Sequence, residues 1–198
     1  MNLDELYNHA LSGGAPCSQD ISEHLPTLRK YASKVNHVTE LGVRTGNSTV
    51  ALLLGKPKIM VSYDINDISK HPTKAKWDNN RITYSSLKNV IIDTDFTFII
   101  GNSLEIEIEQ TDLLFIDTAH NYKQLKEELR LHHDKVNRYV IFHDTETYGK
   151  ISEDGSVPGI MSAIQELINA YKEWKIKKVF TNNNGLVIIE RGSKYGNR

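Results

Sequence analysis

Seven short runs rich in β-branched and aromatic residues punctuate the chain, at positions 35–41, 58–64, 96–102, 112–117, 138–144, 176–181 and 185–191. Leu113-Leu114-Phe115-Ile116 and Tyr139-Val140-Ile141-Phe142 are apolar without interruption, the pattern of strands covered on both faces. Between the runs lie helical patterns at 18–33, 47–54, 120–133 and 158–174. Such alternation predicts an α/β architecture with a doubly wound, mainly parallel sheet. The last two runs break the alternation. Asn182-Asn183-Asn184-Gly185 joins them, and Asn-Gly readily takes the positive φ angles of a tight turn, so these strands are expected to form an antiparallel hairpin.

At 198 residues the chain is long enough for one domain with its own core. The reading is a single domain over 1–198, with 1–17 and 192–198 as peripheral segments. A formal net charge of -1 gives no general attraction to nucleic acid or anionic membranes. One cysteine, Cys17, excludes an internal disulfide and fits a reducing compartment. No apolar run approaches the roughly 18–20 residues of a membrane span. The first residues also lack the basic-then-apolar pattern of a secretory signal. A cytoplasmic location is therefore expected, and a homo-oligomer is compatible with everything in the sequence.

The most informative stretch runs from the first strand into a turn with two glycines, Glu40-Leu41-Gly42-Val43-Arg44-Thr45-Gly46-Asn47-Ser48. Glycine permits close approach of a ligand to the backbone, and the following helix presents unpaired N–H groups. In open α/β sheets ligands bind beyond the carboxyl ends of the strands. Polar residues close five successive runs there: Glu40, Asp64, Asn102 with Ser103, Asp117 and Asp144. The spacing lacks the third glycine of the dinucleotide fingerprint, which disfavours a pyrophosphate ligand. Asp64 is placed to accept both ribose hydroxyls of a nucleotide-like cofactor, and Gly101-Asn102-Ser103 to approach an adenine edge.

At these residues the chain resembles class I S-adenosylmethionine-dependent methyltransferases, which share E-x-G-x-x-x-G, an acid ending strand two and a terminal antiparallel hairpin. The resemblance implies a Rossmann-like, seven-stranded sheet whose last strand is reversed, with S-adenosyl-L-methionine as cofactor. It gives cofactor contacts to Glu40, Gly42, Gly46 and Asp64, and Ser48, Asn102, Ser103 and Asp117 complete the cofactor-binding candidates.

The second constellation is Asp112-Leu-Leu-Phe-Ile-Asp117-Thr-Ala-His120-Asn-Tyr122 together with Phe142-His143-Asp144-Thr145. Two carboxylates at adjacent strand ends suit a hard cation. His120, three residues beyond Asp117 at a helix start, is within reach of the same space. From Asp20 through Glu190 the chain is similar to small-molecule O-methyltransferases that include macrolide-sugar and rhamnosyl methyltransferases and cephalosporin-hydroxylase-associated proteins. Val157-Pro-Gly-Ile-Met-Ser-Ala and Asn184-Gly-Leu add to the likeness. It implies that Asp117 binds a divalent metal, Mg²⁺ or Mn²⁺, and that His120 is the general base, so Asp117 and His120 are the catalytic candidates. Asp117, His143 and Asp144 are the metal candidates. The metal-dependent sugar enzymes carry an acidic pair where this chain has His143-Asp144, and imidazole is a poorer partner for Mg²⁺ than carboxylate.

The expected activity is methyl transfer to a hydroxyl of a small molecule, with a sugar or glycan precursor favoured. A cofactor-binding protein without turnover, or a methyltransferase for RNA, are the alternatives. The polar loop 145–157 is a lid candidate, and Tyr122, Tyr148, Trp77 and Trp174 are aromatic candidates for an acceptor pocket.

Overall fold

The computed structural model describes residues 2–12, 19–67, 87, 91 and 93–192. Cys17, Gly13-Gly14, Trp77 and the end of the tail lie outside the described residues. The seven strands follow the order β3-β2-β1-β4-β5-β7-β6, the mainly parallel sheet with a reversed final strand that the sequence implies. The chain divides into two compact units, Met1–Ile106 and Glu107–Arg198.

The first unit holds α1 (Leu3–Leu11), α2 (Leu25–Ala32), β1 (His37–Leu41), α3 (Asn47–Leu54), β2 (Ile59–Asp64) and β3 (Asp95–Ile100). β1 pairs in parallel with β2, and β2 with β3. Helix α1 lies in a segment read from the sequence as peripheral. Asn2 and Glu5 close a capping box at its start, and it buries Leu6, Tyr7 and Ala10 along one face. The expected helix at 18–33 is shorter: a 3₁₀ turn, Ser22–His24, leads into α2, where Pro26 occupies the first turn, a place where its missing N–H costs nothing. Helix α3 is buried on every side, as its sequence Asn-Ser-Thr-Val-Ala-Leu-Leu-Leu suggests.

The second unit holds β4 (Thr111–Ile116), α4 (Tyr122–His132), β5 (Val136–His143), α5 (Ile160–Ala170), β6 (Trp174–Phe180) and β7 (Leu186–Arg191). β4 and β5 are parallel, while β7 runs antiparallel to both β5 and β6. Leu113, Leu114, Phe115, Val140, Ile141 and Phe142 are all buried, which explains their uninterrupted apolar runs. Burial of each large side chain contributes roughly 1.5–3 kcal/mol. β6 is the outer strand and exposes Lys175, Ile176, Lys177, Lys178 and Val179. Its lysines and a register shift between Ile176 and Lys178 blunt the open edge.

One helix start and one hairpin come directly from local side-chain and turn chemistry. Asn121 caps α4 by accepting the N–H of Gln124 at 2.9 Å. At the hairpin, Asn183, Asn184 and Gly185 have φ of 47°, 66° and 91°, which needs the Asn-Asn-Gly sequence found there.

Candidate active site

In the first unit the turn after β1 is built by Gly42 (φ 88°), Arg44 (φ 52°) and Gly46 (φ 83°). Asp64, at the end of β2, holds this turn in place. Its Oδ2 accepts the N–H groups of Val43 and Arg44, each at 2.8 Å, and its Oδ1 accepts the N–H of Asn66 at 2.8 Å. A carboxylate offers about four lone-pair sites. Three are taken by these backbone donors. Gly46 caps α3 without a side-chain hydrogen bond, leaving first-turn N–H groups with no intrahelical acceptor. Beside them, Asn47 donates to Thr45 Oγ1 at 3.2 Å, while its Oδ1 is buried with no partner.

Glu40 is placed differently from a ligand contact. It is fully buried, and its Oε1 accepts the Ser48 hydroxyl at 2.6 Å. Its Oε2 accepts Thr49 at 2.8 Å and Ser62 at 2.6 Å. One carboxylate thus ties β1 to the start of α3 and to β2, and Ser48 spends its hydroxyl on the same knot. Their contribution is to fix the glycine turn. Asn102 likewise uses its side chain locally, accepting from Leu104 N–H at 3.1 Å and donating to Glu105 at 3.0 Å. Ser103 is buried beside it.

In the second unit the ends of β4 and β5 bring four titratable side chains together. His120 Nε2 lies 2.9 Å from Asp144 Oδ2 and 3.3 Å from Asp117 Oδ1. His143 Nδ1 lies 3.3 Å from Asp117 Oδ1 and 3.1 Å from Asp144 Oδ2. Asp144 sits at φ 59°, a left-handed conformation that turns its side chain back onto the cluster, and its Oδ1 is buried without a partner.

Burial opposes every charge in this cluster, but the pairing outweighs it. For Asp117 the nearby His143 charge and the hydrogen bonds from His120 and His143 hold the carboxyl well below the usual range. Hydrogen bonds from His120 and His143 hold Asp144 at about 2 against its own burial. Burial would lower His120, yet hydrogen bonds to Asp117 and Asp144 push it up to about 10. His143 is raised well above the ordinary value by Asp117 and Asp144 in the same way. Without a cation among the carboxylates, His120 therefore carries a proton at neutral pH. In that state both ring nitrogens are donors, whereas the general-base role expected of His120 uses its neutral form.

Among the described residues, the donor atoms that could share an ion come from Asp117, His120 and Asp144, all within 4.8 Å of one another. His143, a metal candidate from the sequence, is not in that set; its Nδ1 contacts both carboxylates.

The loop 145–159 closes over His120. Tyr148 stacks on its ring at 5.0 Å and 6°, and Glu153 Oε2 meets its Nδ1 at 3.2 Å. Glu153 N–H also donates to the His120 carbonyl at 2.9 Å. The loop is held by Ser152 N–H to the Ser156 carbonyl (2.8 Å), Gly159 N–H to the Lys150 carbonyl (2.8 Å), and Glu146 N–H to the Asn184 carbonyl (2.9 Å). These bonds tie together the segment that the sequence suggested as a lid. Glu153 was not singled out in the sequence; only the tight 152–156 turn brings it to His120. Of the aromatic candidates, Tyr148 reaches the cluster, Tyr122 donates to Glu166 at 2.8 Å, and Trp174 is a core residue. A hollow of about 770 Å³ lined by Asp112, Arg138, Lys175, Lys177, Glu190 and Arg191 lies at the opposite strand ends, away from these groups.

No family model matches the chain, and no curated protein matches it in sequence. Solved structures match it in fold. An O-methyltransferase from Bacillus cereus, in complex with SAH, superposes with a TM-score of 0.63 at 16% identity, covering 96% of this chain and 90% of that one. The O-methyltransferase TomG of Streptomyces achromogenes, involved in tomaymycin synthesis and in complex with SAM, gives 0.60 at 14% identity, covering 93% and 90%. A ribosomal protein L11 methylase from Lactobacillus delbrueckii gives 0.53 at 14%, covering 85% and 79%. The fold is that of the class I methyltransferases, and it is shared by enzymes with very different acceptors.

Proposed function

We propose that the chain is an S-adenosylmethionine-dependent O-methyltransferase acting on a hydroxyl of a small molecule, with a sugar or glycan precursor favoured. The observation that carries the reading is the turn between β1 and α3. Its backbone is clamped by Asp64 and Glu40, while first-turn N–H groups of α3 and the buried Asn47 Oδ1 face no partner of their own. Backbone donors suit the carboxylate of a methionyl group, and Asn47 Oδ1 suits its ammonium. The likeness in fold to proteins solved with SAH and SAM supports the same ligand here.

Bound at that turn, the cofactor supplies a methyl already activated by the sulfonium charge. The remaining work falls to the chain: to position an acceptor oxygen in line and to receive its proton. Asp117 is ionised and its side chain is 24% exposed, against 5% for Asp144, so we assign it the hydrogen bond from the acceptor hydroxyl. An alkylated hydroxyl is a very strong acid, so a carboxylate is base enough to take the proton as the new bond forms. A divalent cation held by Asp117, His120 and Asp144 would lower the acceptor's pKa further.

Calorimetry with S-adenosylmethionine, S-adenosylhomocysteine and NAD tests the donor. The first two should bind, and at a hundred times their Kd raise stability by about 2.7 kcal/mol. Absence of binding by both would defeat the proposal. Asn47→Leu should weaken that binding by about tenfold, the loss of one buried hydrogen bond to a charged group. Methyl transfer from labelled cofactor to a panel of nucleotide sugars then tests the acceptor class.

A further inference from the structure

The hollow at the starts of β4 and β5 lies wholly within the second unit and takes no part in the chemistry proposed above. Its volume of about 770 Å³ falls in the range of small-molecule sites, roughly 300–1,000 Å³. Asp112 and Asp117 bracket β4, and Arg138 and His143 lie as far apart along β5, a separation of about 16 Å at ~3.3 Å per residue. A ligand in the hollow therefore shares no side chain with the Asp117–His120 cluster.

The lining is a row of charge laid across the sheet. Tyr139, Glu190 and Lys175 stand opposite one another on β5, β7 and β6, so their side chains share one face. The Glu190 carboxylate is already engaged: Lys177 donates to it at 2.6 Å and holds its carboxyl below the usual range, and the Tyr139 hydroxyl adds a further bond. Asp112 accepts from Asn137 Nδ2 at 3.3 Å. Against these two acids the hollow sets four cations, Arg138, Lys175, Lys177 and Arg191. Lys175 is exposed and has no hydrogen-bond or ion-pair partner among the described residues. Arg191 is the fixed charge. Its side chain is 11% exposed, Nη1 donates to the Val136 carbonyl at 2.8 Å, and Nη2 donates to Glu173 at 3.3 Å. Its Nε is buried with no acceptor, and a guanidinium has no neutral form to retreat to.

An excess of positive charge on a concave surface draws in anions, and Lys and Arg hold phosphate oxygens by charge-assisted hydrogen bonds. The far wall has the opposite character. Asp112 on β4 is separated from Lys175 on β6 by β5 and β7, about 14 Å at ~4.8 Å per strand. A carboxylate there repels phosphate and accepts hydroxyls. Acids at both Asp112 and Glu190 also interrupt the basic surface, which disfavours a continuous polyanion such as RNA.

We propose that this hollow is a second ligand site, taking a phosphorylated polyol of sugar-phosphate size with its phosphate on Lys175 and Arg138 and its hydroxyls toward Asp112. The inference does not rest on the methyltransferase reading.

The full chain is titrated by calorimetry with glucose-6-phosphate, glucose and inorganic phosphate, and the responding residues are mapped by amide NMR shifts. Glucose-6-phosphate should bind with a Kd below about 1 mM, glucose should not bind, and inorganic phosphate should bind more weakly. The shifts should gather at Arg138, Lys175 and Glu190. Lys175→Ala, at an exposed edge position, and Arg138→Ala should each weaken binding about tenfold, the loss of one charge-assisted hydrogen bond. Lys123→Ala, exposed on α4, should leave it unchanged. Asp112→Asn should weaken glucose-6-phosphate but not inorganic phosphate, which separates hydroxyl recognition from charge alone. No binding, or binding equal in the parent and Lys175→Ala, would overturn the proposal. So would inorganic phosphate bound as tightly as the sugar phosphate, or an RNA oligonucleotide bound more tightly through the same residues. Displacement of glucose-6-phosphate by S-adenosylhomocysteine would move it to the β1–α3 turn and sink this site while leaving the donor reading intact.

Discussion

Glu40 holds three hydroxyls from two elements on one buried carboxylate, and its removal should be felt well beyond its own volume. Glu40→Ala leaves the Ser48, Thr49 and Ser62 hydroxyls without their acceptor in a site closed to water. Each such loss costs about 1–3 kcal/mol, so the substitution should cost about 3 kcal/mol or more; Glu40→Gln, which keeps one acceptor oxygen, should cost less. Urea unfolding midpoints measure the order, and equal stability in Glu40→Ala and the parent would refute it. The strand-end position of Glu40 was legible in the sequence, but its burial was not. An acid at the ligand edge of a strand looks like a ligand contact until its hydroxyl partners, eight, nine and 22 residues away, are seen to converge on it. Asp117 and His120 were legible because they sit three residues apart on one local segment. Glu153 was not, since it reaches His120 across 33 residues through a turn with no motif of its own.

At the level of elements, the strands were read from the sequence within about two residues of where they lie, because their apolar runs are continuous and bounded by turn residues. Helix α1 was missed although its signal was present: Asn2 and Glu5 form the cap, and Leu3, Leu6, Tyr7 and Ala10 repeat at helical spacing. The β6–β7 turn matters beyond its own hairpin. The Asn184 carbonyl accepts from Glu146 and Thr147, and the Asn183 carbonyl lies 3.3 Å from His143 Nε2. Gly185 is the point where this assembly is tightest. At φ 91°, a Cβ there would stand 2.3 Å from the backbone nitrogen of Glu146. Gly185→Ala should therefore cost roughly 1–3 kcal/mol from backbone strain alone, with more from the displaced loop. It should also disturb the His120–Glu153 contact, seen as changed histidine ring resonances. A melting temperature and a histidine spectrum like those of the parent would contradict this.

For the whole molecule the cluster sets the dependence of stability on pH. Folding raises His120 from 6.5 to about 10, so its contribution is complete below 6.5 and fades as pH climbs toward 10. Folding lowers Asp144 from 3.8 to about 2, so its contribution is complete above 3.8 and fades as pH falls toward 2. In the presence of a chelator, the melting temperature should be highest between about pH 3.8 and 6.5 and decline on the alkaline side. His120→Gln should flatten that alkaline decline; an unchanged slope would show that other groups cause it. The place of β7 between β5 and β6 has a consequence of another kind, for the order of events during synthesis. β6 leaves the ribosome before β7, yet it joins the sheet only through β7. Until residues 186–191 emerge, the flank of β5 and the whole of β6 have no ladder partner, and no closed hairpin holds the Asn183 and Asn184 carbonyls that brace His143 and the loop. The nascent chain thus carries its reactive cluster unfinished while the remainder is translated, and a chaperone that shields β-strand edges would have its longest hold on this protein at that moment.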